Sequence, residues 1–151
     1  MVGGWEKEIM KWLGSLRLAP VVAMGKGEQV VAKLNQFTKG SYRCLILSYE
    51  TFRGYLSRLE GYCDLLVLDE GHRLKNKKIK TFQSFAQFKC PRKIILTGTP
   101  LQNSLEELFS CCDFVNPGKF YSYQTFRKVF ATPILEGLRK DARPDQRELA
   151  Q

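Results

Sequence analysis

Two neighbouring carboxylates, Asp69 and Glu70, follow directly on the aliphatic run Leu65-Leu66-Val67-Leu68. A buried strand that ends in an acid delivers that acid to the edge of a sheet. There Asp69 can hold Mg²⁺ through water and offset the negative charge of a bound nucleotide. Glu70 points another way and can orient or deprotonate an attacking water. The plainer reading of the same residues is a strand that ends in a solvated acidic turn, and the two acids alone do not choose between these. Further on, Thr97-Gly98-Thr99-Pro100 follows another aliphatic run, Lys93-Ile94-Ile95-Leu96. A hydroxyl-bearing turn in that place would sit beside the metal site; by itself it could equally start a helix.

Both polar clusters need strands to carry them. Continuous apolar runs of strand length occur at 20–24, 44–48, 65–68 and 93–97. Helical spacing fills the intervals. Trp5, Ile9 and Trp12 with Leu13 fall on one stripe, stopped by Gly14. Segments 28–37 and 51–59 read as helices, as does 77–88, where Ile79, Phe82, Phe85, Ala86 and Phe88 share a face expected to be core. Ser104 and Glu107 form a capping box ahead of Leu105, Leu108, Phe109 and Cys112. Residues 114–123 read as a loop, and the polar chain beyond Pro133 is expected to fray. Strands apolar on both faces, alternating with helices, predict an α/β fold with a mainly parallel sheet covered on both sides. Ligands of such sheets bind beyond the carboxyl ends of the strands, which is where these polar motifs fall.

The 151 residues suit one domain, and 44% apolar content is enough for a sizeable core. Lys and Arg number 24 against 15 acids, a formal charge of +9. That excess favours a polyanion, either nucleic acid or an anionic membrane surface, although a basic and inert surface has the same composition. Five cysteines without a C-x-x-C pair, and a single histidine, argue against a zinc site. Their odd number and apolar surroundings fit reduced thiols of an intracellular protein. No apolar run approaches the ~18 residues of a membrane span, and no signal pattern opens the chain, so a soluble protein without a membrane partner is expected.

Leu65-Leu66-Val67-Leu68-Asp69-Glu70 has the form of a Walker B strand, and Asp69-Glu70-Gly71-His72 resembles motif II of the superfamily 2 helicases and translocases. Arg73-Leu74-Lys75-Asn76 extends the likeness, and Thr97-Gly98-Thr99-Pro100-Leu101-Gln102-Asn103 resembles motif III of the SWI/SNF branch. Trp5-Glu6-Lys7-Glu8 resembles the segment after motif Ia, and Ser48-Tyr49-Glu50-Thr51 the motif Ib region. Gly71, where most relatives carry Ala, gives a DEGH box like that of the homologous-recombination repair branch. Phe114-Val115-Asn116-Pro117-Gly118 and Pro133-Ile134-Leu135 also look like that branch.

The resemblance implies a three-layer RecA-like lobe, here over residues 1–135, with a polar extension over 136–151. It implies an ATP-driven double-stranded-DNA translocase of the nucleus that assists a strand-exchange recombinase filament, remodels chromatin, and uses ATP and Mg²⁺. It assigns catalysis to Glu70, metal to Asp69, and coupling to Thr97, Gly98, Thr99 and Pro100. Ser48, Tyr49, Arg73 and Lys75 become nucleic-acid contacts. His72 is expected to couple or hydrogen-bond rather than ligate metal. Lys77, Lys78 and Lys80 read either as phosphate contacts or as a solvated helix start.

A phosphate-gripping P-loop needs G-x-x-x-x-G-K-[ST], and no such string occurs; Gly25-Lys26-Gly27 lacks the spacing and the hydroxyl. The chain is therefore expected to be a partial lobe with an incomplete sheet, some apolar surface exposed, and no hydrolysis by itself. The alternative is a non-catalytic module, derived from such a lobe, that binds DNA or a recombinase. An RNA helicase resembles the chain less at Leu101-Gln102-Asn103.

Overall fold

The computed structural model describes residues 2–71, 80–98 and 104–149. The chain forms two compact units, Met1–Asp64 with Ser84–Cys90, and Leu65–Gln83 with Pro91–Gln151.

In the first unit, α1 (Val2–Arg17), β1 (Pro20–Ala23), α2 (Glu28–Thr38), β2 (Cys44–Leu47) and α3 (Tyr49–Leu59) follow in order. Gly14 leaves the helical region at φ 70, ψ 165 and kinks α1 where the sequence predicts a stop. The helix then resumes as far as Arg17. The apolar stripe of α1 does not amount to a core, because no residue of that helix is buried. β1 pairs in parallel with β2, Val21 opposite Leu45 and Ala23 opposite Leu47. Val21 and Ala23 face the same way and are buried; α2 packs on β1 and buries Val30 and Leu34. Removing these aliphatic surfaces from water holds the layer together. A second cluster joins Phe52 to Phe85 and Phe88, with ring centroids 4.6 and 5.0 Å apart. Phe85 and Phe88 belong to α4 (Lys80–Gln87) and the residue just after it, and both are core, as their spacing predicts.

In the second unit, β3 (Leu65–Asp69) pairs in parallel with β4 (Arg92–Leu96). α5 (Leu105–Val115) follows and packs on β4. Ser104 caps α5 by accepting from the Glu107 N–H at 3.3 Å, as the capping box predicts. The chain then runs through α6 (Tyr123–Phe126), a π-helical turn (Arg127–Ala131), α7 (Thr132–Gly137) and α8 (Pro144–Leu149). Phe109, Phe126 and Ala131 are the buried centre here, with Leu105, Phe120 and Tyr123 against them. The polar end expected to fray is helical over Pro144–Leu149.

The fold is α/β with parallel strands, as read from the sequence. Among the described residues the strands form two parallel pairs, and no string for a P-loop occurs in the sequence, as already read. The β3–β4 pair is also not covered on both faces. Leu65, Val67, Ile94 and Leu96 alternate with better-buried neighbours and share one exposed face.

Candidate functional site

Asp69 is the last residue of β3 and stands opposite Leu96, the last residue of β4. Because the two strands run parallel, their carboxyl ends lie at one edge. Glu70 follows Asp69 there, and Thr97 and Gly98 follow Leu96. Asp69, Glu70 and Thr97 are half-buried, and Gly98 is exposed.

The turn after Asp69 is unusual. Glu70 has φ 53, in the left-handed region, which costs a residue with a Cβ about 1–2 kcal/mol. Its N–H donates to Asp69 Oδ1 at 3.0 Å, so the metal-candidate carboxylate itself fixes the turn. Gly71 comes next and is buried. A Cβ built on Gly71 would collide with the side chain of Ile95. Ile95 is the cross-strand partner of Leu68. The backbone after the acid pair therefore rests on a β4 side chain two residues ahead of Thr97. This is the physical meaning of glycine at this position: an alanine does not fit unless Ile95 moves.

Ser48 and Tyr49 lie in the first unit, at the junction of β2 and α3. Ser48 caps α3, its Oγ accepting from the Thr51 N–H at 3.1 Å. The Tyr49 ring packs against Phe85, with centroids 5.3 Å apart. Both side chains thus have structural tasks in addition to any contact with nucleic acid. His72, Arg73, Lys75, Thr99 and Pro100 lie outside the described residues. Sequence reasoning missed Ile95 and the left-handed Glu70. The DEGH glycine was the only available signal for Ile95, since a missing Cβ implies that something occupies its place.

The chemistry of the donors fits a hard cation. Two carboxylates and a hydroxyl at one strand edge suit Mg²⁺ better than a soft metal. Burial pushes the thiols of Cys44 and Cys112 above the ordinary cysteine range, so neither offers a ready thiolate.

The SNF2-related domain family matches residues 1–151. The chain belongs to the SNF2-related family. This SNF2-related chain is similar to the human DNA repair and recombination protein RAD54B, 40% identical over 153 residues that cover 100% of this chain and 16% of that protein. It is similar to Protein CHROMATIN REMODELING 25 of Arabidopsis thaliana, 37% identical over 99% of this chain and 17% of that protein. The chain thus spans about a sixth of the length of these curated relatives. Among solved structures, the SWI2/SNF2 ATPase core of Sulfolobus solfataricus in complex with dsDNA matches with a TM-score of 0.68 and 29% identity, over 98% of this chain and 29% of that one. The SWI/SNF assignment and its recombination-repair branch, read from the motifs, both stand.

Proposed function

We propose that this SNF2-related chain carries the magnesium-holding and water-orienting edge of the first RecA-like lobe of an ATP-dependent double-stranded-DNA translocase. Residues 1–135 form that part of the lobe and 136–151 its polar extension. The observation that carries this reading is the shared edge: Asp69 ends β3 opposite Leu96 at the end of β4, with Glu70 following the one and Thr97 and Gly98 the other.

In this reading Asp69 would hold Mg²⁺, which would offset the charge of the nucleotide phosphates. Glu70 orients the attacking water and accepts its proton. Gly71 keeps the backbone low against Ile95. Thr97, Gly98, Thr99 and Pro100 relay the state of the nucleotide, and His72 couples or hydrogen-bonds. Ser48, Tyr49, Arg73 and Lys75 meet the DNA backbone. The formal charge of +9 supports contact with phosphates, and the similar archaeal core is a complex with dsDNA. The names of the relatives support work in DNA repair and recombination and in chromatin remodelling; the nucleus and a strand-exchange recombinase filament as partner are part of the same proposal.

The test is duplex-DNA-stimulated ATP hydrolysis by the product of the gene's whole coding sequence. Glu70→Gln should lower turnover by about 100-fold or more while leaving DNA affinity intact. Unchanged turnover, or stimulation by RNA rather than duplex DNA, would contradict the proposal.

A further inference from the structure

Two thiols outside the proposed chemistry face one another in the first unit. Cys63 lies in the connection from α3 to β3, and Cys90 in the connection from α4 to β4. The Cys90 thiol reaches the Cys63 carbonyl oxygen at 3.3 Å, and the two sulfurs are 3.7 Å apart. Both residues are half-buried, so a small solute can reach them. Their spacing of 27 residues equals that of the strand partners Leu65 and Arg92. A disulfide requires the sulfurs to close to about 2.0 Å, a step within reach of side-chain rotation from this starting distance.

We propose that Cys63 and Cys90 are a redox modification site that takes a peroxide as its oxidant and forms a reversible disulfide. The Cys63 thiolate attacks one peroxide oxygen, the O–O bond breaks, and Cys63 becomes a sulfenic acid as the departing hydroxide takes a proton to form water. The Cys90 sulfur then attacks the Cys63 sulfur; the S–O bond breaks, a second water leaves and the S–S bond forms. Two thiols are oxidised and one peroxide is reduced to two waters. A dithiol reductant reverses the step by exchange. The bridged span encloses Asp69, Glu70 and Gly71, so the modification ties together the two ends of the segment that holds the candidate site. Burial raises the Cys44 and Cys112 thiols, which leaves them slower competitors for the oxidant.

The experiment treats the folded chain with equimolar hydrogen peroxide, alkylates the remaining thiols, digests without reductant and maps the peptides by mass spectrometry. Alkylatable thiols should fall from five to three, with one linked peptide pair containing Cys63 and Cys90 that separates in dithiothreitol. Cys90→Ser should instead stall at a Cys63 sulfenic acid that a cyclic diketone traps, and Cys44→Ser should still form the bridge. If Cys90→Ser does not fold, the wild-type peptide map decides alone. Retention of all five thiols, a bridge to another cysteine, or sulfinic acid without a bridge would overturn the proposal.

Discussion

The two strand pairs of this chain are built from similar aliphatic runs and end up differently covered. β1–β2 contacts both α1 and α2, and β1 alternates half-buried with fully buried residues. β3–β4 packs on α5 and leaves Leu65, Val67, Ile94 and Leu96 between 38% and 47% exposed. Asp69 lies on that open face by the strand's own alternation, in the same row as Leu65 and Val67. The pair that carries the candidate chemistry is thus the less buried one, and its order depends more on local devices than on bulk burial. Those devices are the Asp69 bond to the Glu70 N–H and the seating of Gly71 on Ile95.

Mutations should separate the two pairs by size of effect. Phe85→Ala, in the aromatic cluster of the first unit, should cost about 3–5 kcal/mol in denaturant unfolding. Leu34→Ala, beneath β1, should cost about 2–5 kcal/mol. Gly71→Ala should cost about 1–3 kcal/mol by overpacking on the Ile95 side chain, and should cost less in an Ile95→Ala background, which lacks the γ carbons it meets. Additive effects in that double-mutant cycle would mean that the two residues do not touch. Glu70→Gly should raise stability by up to about 1 kcal/mol by relieving the left-handed backbone. Val67→Thr, on the open face, should stay within about 0.5 kcal/mol of wild type. A cost like that of Leu34→Ala would show that the β3–β4 face is covered, and the contrast would collapse.

Much of this was legible from the sequence. The four strands and the helices α2, α3 and α5 announce themselves by apolar runs, spacing and a capping serine, because those signals are local. The shared edge of Asp69 and Thr97 was legible too, since parallel strands with motifs at their ends can place them nowhere else. The rest depends on contacts that periodicity does not encode. An apolar run reports what a strand can bury and not whether a layer covers it, so exposed apolar surface was expected of an incomplete sheet but not which strand pair would carry it. The same holds for α1, where Trp12 remains 71% exposed despite its stripe. The kink at Tyr55 in α3 follows Gly54, which weakens that helix in the sequence, whereas the π-helical turn at Arg127–Ala131 has no composition signal. Neither do the Cys63–Cys90 approach and the support that Ile95 gives Gly71, each between residues more than twenty positions apart.

The central claim is that Asp69 holds a divalent cation for a nucleotide at the β3–β4 edge. Binding of Mn²⁺-ADP, with Mn²⁺ standing in for Mg²⁺, can be followed by electron paramagnetic resonance on the product of the whole coding sequence. The account predicts that Asp69→Asn weakens that binding by about tenfold or more while the fold persists. Binding that is unchanged in the variant would contradict it.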